Sequence, residues 1–458
     1  MTPGLRDARL IEYVGNDADI GQAFVQAMLE AGLVVREVTA PSGKADALVL
    51  AHGLAGATFD CHAGALEALS AEAKRFEARG GTLILLQDTG GAFQPLDHRA
   101  WRGGLTGLAR TAMREFPKAT VRSIDIDISG LGLKPAADRL IEELLSGGAA
   151  PCVGLSAQGR LVPTDGLLIL PGNRPGLIGP QDVILVTGGA RGVTATCIIE
   201  LAERTKARFA LLGRSAITPW PDDLEAGLDE KALRGALAAR AKAKGEKVSP
   251  AALNKQARAL LSGAEIRATL SAIEQAGGQA LYVPTDVADP AALKAALDNI
   301  QSTLGPVTGL VHGAGVLADK LIREKTRAQV ETVFAPKIAG LEALMSVLDT
   351  GQLKTIAFFS SVAARYGNAG QADYAMANEI LNRMAHWLKA AHPDAAVTSI
   401  GWGPWDGGMV DDSLKAKFAE MGVALIPRDA GARLFADAVL AGGACPVELI
   451  VGSEIAHG

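Results

Sequence analysis

Short apolar, β-branched runs alternate with amphipathic stretches along this chain, and they do so in two series. The first series holds RLIEYV (9–14), DALVLA (46–51), TLILLQD (82–88) and VRSIDID (121–127), with helical spacing of apolar residues in IGQAFVQAMLEAG (20–32) between them. The second holds VILVTGG (183–189), RFALLGRS (208–215), ALYVPTDV (280–287), GLVHGAG (309–315), TIAFFSS (355–361), AVTSIGWG (396–403) and VELIVG (447–452). Continuous apolar strands joined by helical crossovers require a parallel sheet covered on both faces. The expected fold class is therefore α/β, with two Rossmann-like, doubly wound parallel-sheet subdomains.

The Pro/Gly-rich stretch PGNRPGLIGP (171–180) separates the series, which predicts a first subdomain over 1–175 and a second over 176–458. A connection of roughly fifty residues follows the second downstream strand, against the usual two to six, and reads as a helical insertion over 216–264. Within it, from Lys231 to Lys247, Lys231, Arg234, Arg240, Lys242, Lys244 and Lys247 face a single acid, Glu246. That run reads either as a solvated helix face or as a dock for an acidic partner.

Composition narrows the function classes. Across 458 residues, 45 Lys plus Arg against 50 Asp plus Glu give a net charge of −5, so no basic field attracts nucleic acid. Cys61, Cys152, Cys197 and Cys445 form no C-x-x-C pair, so neither a metal ribbon nor a disulfide framework is expected. The N-terminus lacks the apolar run of a signal peptide, and no stretch reaches the roughly 18 apolar residues of a membrane span. A cytoplasmic protein without a membrane span or metal is the expectation.

The first downstream strand runs into TGGARGVT. Gly188, Gly189 and Gly192 would let the backbone turn tightly toward a pyrophosphate, with Thr187, Arg191 and Val193 beside it and a helix N-terminus supplying N–H donors. The second strand ends in Gly213, Arg214 and Ser215, with no acid where an NAD ribose would want one. Arg191 and Arg214 therefore favour the 2′-phosphate of NADPH. Asp286 is a candidate adenine contact, with a helix-cap role as the alternative. The upstream series lacks such a cradle, because Asp17 and Asp19 put negative charge where a pyrophosphate would sit. It is read as a non-catalytic structural half.

Carbonyl reduction needs an acid for the developing alkoxide. Of four tyrosines, Tyr366 and Tyr374 fall near the sheet edge where ligands bind in such folds. Tyr374 follows Ser361 by thirteen residues, and Asn378 lies one helical turn further on the same face. Lys337 is the candidate cation, expected to favour the phenolate and lower the phenol pKa.

These pieces together resemble the ketoreductase domains of polyketide synthases, within the short-chain dehydrogenase/reductase superfamily. The resemblance rests on TGGARG, LLGRS, TDV, HGAGVLADK, FAPKIAG, FFSSVAARYGNAGQADYAMAN and GWGPWDGGM, and on GGLTGLARTAMREFP in the structural half. It implies a tetrad of Lys337, Ser361, Tyr374 and Asn378. Tyr374 would be the general acid, Ser361 the carbonyl donor, Lys337 the cation and Asn378 the organiser of a relay. It also implies NADPH contacts at Asp286, Val287, His312, Gly313, Ala314, Gly315, Gly403, Pro404 and Trp405, although Trp402 and Trp405 read equally well as core aromatics. The implied substrate is a β-ketoacyl thioester on an acyl carrier protein, with other synthase domains as further partners.

Two departures, Thr194 in place of a final glycine and the long basic insertion, resemble the polyunsaturated-fatty-acid synthase type. Leu317-Ala318-Asp319 matches the L-D-D motif of D-3-hydroxy producers in its last acid. Tyr366 stands where L-hydroxy producers carry tryptophan. Asp319, Tyr366 and Gln371 are the substrate-side candidates, with a helix N-cap as the alternative for Asp319. The segment following GWGPWDGGM (401–409), to about Ile426, is the expected lid. Two other functions remain open: a silent reductase fold kept for partner binding, and a free-standing alcohol dehydrogenase.

Overall fold

The computed structural model describes residues 2–170, 172, 176–407, 412–420 and 422–452. Two seven-stranded sheets account for both series. The first contains β1 (Ile11–Val14), β2 (Val35–Glu37), β3 (Ala47–Gly53), β4 (Gly81–Gln87), β5 (Ala119–Ile126), β6 (Cys152–Ser156) and β7 (Gly159–Leu161), in the order β2-β1-β3-β4-β5-β6-β7. The second contains β8 (Val183–Thr187), β9 (Arg208–Gly213), β10 (Gln279–Pro284), β11 (Val307–His312), β12 (Thr355–Ser361), β13 (Ala396–Trp402) and β14 (Glu448–Val451), in the order β10-β9-β8-β11-β12-β13-β14. Every neighbouring pair is parallel except β6 and β7, which form an antiparallel hairpin at one edge. The second order is that of a dinucleotide-binding sheet, whereas the first follows the shorter flavodoxin-like winding.

All eleven expected strands are present. β2, β6 and β7 were not foreseen, being short runs at or near the two edges of the first sheet. The insertion has no break at its expected end. It holds helices Glu230–Ala243 and Pro250–Gln275, and the second runs without a break from the insertion into the crossover that feeds β10. The expected end at 264 falls inside this helix because nothing in the sequence interrupts it there. Leu233, Leu237, Ala257 and Leu260 give the insertion a small apolar core of its own.

The two halves share one core. A single apolar cluster joins Leu105, Leu108 and Ala112 of helix Leu105–Glu115 to Met376, Ile380 and Met384 of helix Ala372–Ala391. Close approach depends on small residues: a Cβ at Gly107 would stand 2.5 Å from the Ala375 carbonyl oxygen. Arg110 crosses this interface to the Ala364 carbonyl at 2.5 Å and to Glu379 at 3.4 Å. Glu379 also pairs with Arg383, which reaches Glu448 at 2.9 Å. Losing one partner of such a buried set costs about 3–5 kcal/mol, because the other is left as an unpaired buried charge. Helix Ala372–Ala391 is thereby held from both sides. Among the described residues, no helix is long and apolar enough to cross a membrane.

Candidate active site

The loops after β8, β9, β10, β11 and β13 all leave the C-terminal edge of the second sheet, so the residues expected to hold a cofactor line one crevice. Gly188 has φ +70, and a Cβ there would stand 2.9 Å from the Gly313 carbonyl oxygen. Gly189 packs on Val186, where a Cβ would come within 2.3 Å. Gly192 has φ +66 with nothing within 4 Å of a Cβ position, so the loop leaves room beside it. Helix Gly192–Thr205 has no side-chain cap at Arg191, which leaves its first-turn N–H groups for an anion. These features fit a pyrophosphate. In the first half the corresponding position is filled: Asp17 caps helix Ala18–Glu30, its carboxylate accepting from the Ile20 N–H at 3.0 Å.

Thr194, the departure from a final glycine, is buried against the next loop. A Cβ at Gly313 would meet its methyl at 2.8 Å and its hydroxyl at 2.9 Å, so the bulk added at 194 is matched by its absence at 313. Val193 packs at the edge of the neighbouring apolar cluster.

Arg214 is exposed at the end of β9 and makes no ion pair among the described residues. Arg191 is differently placed: it donates to the Ser262 hydroxyl at 2.5 Å and lies 4.0 Å from Glu265, both on the long insertion helix. That helix also reaches the loop through Thr269, whose hydroxyl donates to the Ala190 carbonyl at 2.9 Å. Gly213 and Ser215 are tied by the Tyr282 hydroxyl, which donates to their carbonyls at 3.1 and 2.6 Å. Asp286 is exposed and accepts from the Ala288 N–H at 3.1 Å, while the cap of helix Pro290–Leu304 is Asp289. Val287 is buried against Gly340.

Two residues expected to contact the cofactor have their rings engaged within the protein. His312 is fully buried with both ring nitrogens engaged, one by the Thr187 hydroxyl and one by the Lys337 carbonyl, each at 2.8 Å. Burial holds its pKa down at about 4, so the ring is neutral and ties β8 to the lysine segment instead of facing the crevice. Trp405 is buried with Trp402 at a ring separation of 4.9 Å, and it packs on Gly431 and Ile426. It is a core aromatic. Gly403 and Pro404 hold the backbone at this edge, through Gly403 N–H to Val451 and Ile426 N–H to Pro404 at 2.7 and 2.8 Å. Part of the expected lid, residues 410–411 and 421, lies outside the described residues, as do Gly408 and Met409 of the GWGPWDGGM motif and residues 171 and 173–175 of the inter-domain stretch.

The tetrad candidates converge beside this crevice. Lys337 sits on a single π-helical turn, Ala335–Ala339, between helices Arg327–Phe334 and Gly340–Val347. Such turns recur at functional positions because they redirect a side chain. Its ammonium is buried, donates to the Phe359 carbonyl at 2.9 Å and stands 5.6 Å from the centre of the Tyr374 ring. Gly315 makes space for it, since a Cβ there would come within 3.0 Å of the lysine Cε. Burial lowers the Lys337 pKa to about 7.

Ser361 ends β12, and its hydroxyl accepts from the Ala363 N–H at 3.1 Å. Asn378 is fully buried and donates from Nδ2 to the Tyr374 carbonyl at 2.8 Å, leaving its Oδ1 without a partner among the described residues. The phenol departs from the expected direction. Burial raises the Tyr374 pKa above 10, hydrogen bonding from Asn378 and Ser361 opposes this, and the Asp319 charge adds to the rise. Desolvation of the phenolate outweighs the neighbouring donors.

Asp319 is no helix cap. Its carboxylate accepts from the Gln371 side-chain amide at 2.9 Å, which brings two substrate-side candidates together. Tyr366 points elsewhere: its hydroxyl donates to Asp165 at 3.0 Å, and Arg365 binds the same carboxylate. Glu115, Lys325 and Asp373 border the site and were not singled out from sequence. The available signal was Glu115, an acid at the C-terminal end of a helix, where the macrodipole disfavours negative charge.

A glycine cradle on a doubly wound sheet, with a Lys, Ser, Tyr and Asn cluster at its carboxyl edge, defines a nicotinamide-dependent oxidoreductase of the short-chain dehydrogenase/reductase kind. The family model for the KR domain matches residues 183–407. A polyunsaturated fatty acid synthase chain of Thraustochytrium sp. is 37% identical over 365 residues, 78% of this chain and 13% of that protein. Polyketide synthase PksL of Bacillus subtilis is 30% identical over 362 residues, 74% of this chain and 7% of that protein. The chain thus spans a small part of the length of these relatives.

Among solved structures, a ketoreductase domain from the bacillaene assembly line aligns with a TM-score of 0.69 at 21% identity, covering 97% of this chain and 92% of that one. A-type ketoreductases from a modular polyketide synthase align at 0.71 and 22%, covering 97% and 88%. The chain belongs to the ketoreductase domains of the polyketide-synthase type, oxidoreductases that act on ketone and hydroxyl groups.

Proposed function

We propose that the chain is an NADPH-dependent β-ketoacyl reductase acting on a β-ketoacyl group carried by an acyl carrier protein, in polyketide or polyunsaturated fatty acid biosynthesis. The observation that carries the reading is the meeting of Lys337, Ser361, Tyr374 and Asn378 at one sheet edge beside the glycine loop. Residues 1–175 serve as a structural half without a nucleotide, and 176–458, with the insertion beginning at 216, form the catalytic half.

Bound dihydronicotinamide would supply the hydride to the β-carbon. Ser361 Oγ donates to the substrate carbonyl oxygen, and Tyr374 Oη gives its proton as that oxygen becomes an alkoxide. Lys337, with a pKa of about 7, is a proton source for the resulting phenolate at neutral pH. The unpartnered Asn378 Oδ1 is a suitable acceptor within the relay. Arg214, exposed and unpaired among the described residues, supports selection for the 2′-phosphate. Asp319, held by Gln371, favours the D-3-hydroxy product.

Exposed Lys231, Lys242, Lys244 and Lys247 on the insertion favour an acidic carrier as partner. Four buried, unpaired cysteines suit a reducing cytoplasm. The test is turnover of NADPH with a β-ketoacyl thioester surrogate. Tyr374→Phe should abolish it and spare cofactor binding. A fully active Tyr374→Phe variant would reject the assigned acid, and cofactor binding without turnover on any β-ketoacyl thioester would favour a silent fold.

A further inference from the structure

Glu115 is the last residue of helix Leu105–Glu115 in the first half, yet among the described residues its carboxylate is hydrogen-bonded to the second half alone. One oxygen accepts from the Ile322 N–H and the other from the Gly370 N–H, both at 2.8 Å. These amides belong to the two segments that border the reactive phenol. Segment 318–322 carries Asp319, and segment 370–374 carries Gln371 and Tyr374.

The same two segments are tied to each other beneath that carboxylate. The Lys320 N–H donates to the Gly370 carbonyl at 2.9 Å, and Gln371 donates to Asp319 at 2.9 Å. Lys325, fully buried, donates to the Ala318 carbonyl at 2.5 Å and pairs with the fully buried Asp373 at 2.9 Å. Asp373 in turn accepts from the Tyr374 N–H at 2.9 Å. Paired and hydrogen-bonded buried charges of this kind fix geometry, since neither group can leave without stranding the other.

We propose that Glu115 is a positioning residue of the reductase site, through which the structural half sets the distance between the Asp319–Gln371 pair and the Tyr374 phenol. This inference rests on the reductase reading above. Glu115 touches no reacting atom. It acts by holding two backbone segments in register, and the orientation of an acyl chain between them follows from that register.

The test uses the whole chain with Glu115→Gln and Glu115→Ala, NADPH and a β-ketoacyl thioester surrogate. Gln keeps one acceptor oxygen, whereas Ala keeps none. The expected kcat losses are about tenfold for Gln and about a hundredfold for Ala. The minor hydroxy enantiomer should rise in the same order, with NADPH affinity unchanged by fluorescence titration. Hydrogen exchange at the Ile322 and Gly370 amides should accelerate in parallel.

A merely structural loss would lower the active fraction without altering the enantiomer ratio. Glu115→Ala with faster exchange at both amides, but wild-type kcat and enantiomer ratio, would overturn the proposal. If the Ala variant does not fold, wild-type values in Glu115→Gln overturn it instead. An inactive wild type would reject the reductase reading itself, and an active wild type with unaltered variants rejects only the role of Glu115.

Discussion

Replacing Lys337 by Met should make the protein more stable and inactive, and the two effects have one cause. The lysine stem is buried, and Met fills much the same volume without the charge. Burial takes the pKa from 10.5 to about 7. At about 1.4 kcal/mol per unit, this corresponds to about 5 kcal/mol needed to keep the ammonium charged in the fold. Losing the bond to the Phe359 carbonyl returns about 1–3 kcal/mol of that, because the oxygen is left unsatisfied. The net gain is about 2–4 kcal/mol at pH values below 7.

The pH dependence checks the cause. A lysine with a lowered folded-state pKa binds fewer protons folded than unfolded between about pH 7 and 10.5, so wild-type stability rises with pH through that window. The Met variant lacks this slope. Its advantage should shrink by about 3 kcal/mol from about pH 6 to about pH 9. Urea unfolding at several pH values reads both quantities. A variant less stable than wild type at low pH, or an advantage independent of pH, would refute the argument that the fold holds a desolvated ammonium.

Further outcomes follow from the crevice. Gly313→Ala should cost about 1–3 kcal/mol by driving a methyl into Thr194, and Thr194→Gly in the same chain should recover part of it. Additive losses in that double-mutant cycle would show that the two positions are not in contact. Arg214→Ala should weaken NADPH about tenfold or more and leave NADH nearly unchanged, as expected for one charge-assisted bond to a phosphate. Equal losses, measured by fluorescence titration, would remove the 2′-phosphate assignment.

Much of the fold was legible because buried parallel strands advertise themselves. VILVT and TIAFF can be read at a glance, since both faces of each strand must be apolar. Val35–Glu37 could not be, for it is three residues, two of them charged, and becomes a strand only by pairing with β1. The chemistry-bearing residues were legible as types and spacings: glycines before a helix, and Tyr374 and Asn378 one turn apart. The direction of the Tyr374 shift was not, because it depends on how far the phenol is removed from water.

His312 and Trp405 show the same division. Their motifs place both at the correct sheet edge, but which way a ring points depends on what fills the space around it. Thr187 and Lys337 capture the imidazole, and Gly431 leaves room for the indole.

The positions of eleven strands along the chain, and the types and spacings of the candidate acid, hydroxyl and amide, were local information, carried by hydrophobic period and by residues close in sequence. The grip of Glu115 on Ile322 and Gly370, the Lys325–Asp373 pair and the π-turn setting of Lys337 belong to the tertiary structure alone. Each joins residues far apart in the chain or depends on burial, and neither desolvation nor contact across two packed halves leaves a periodic mark in a sequence.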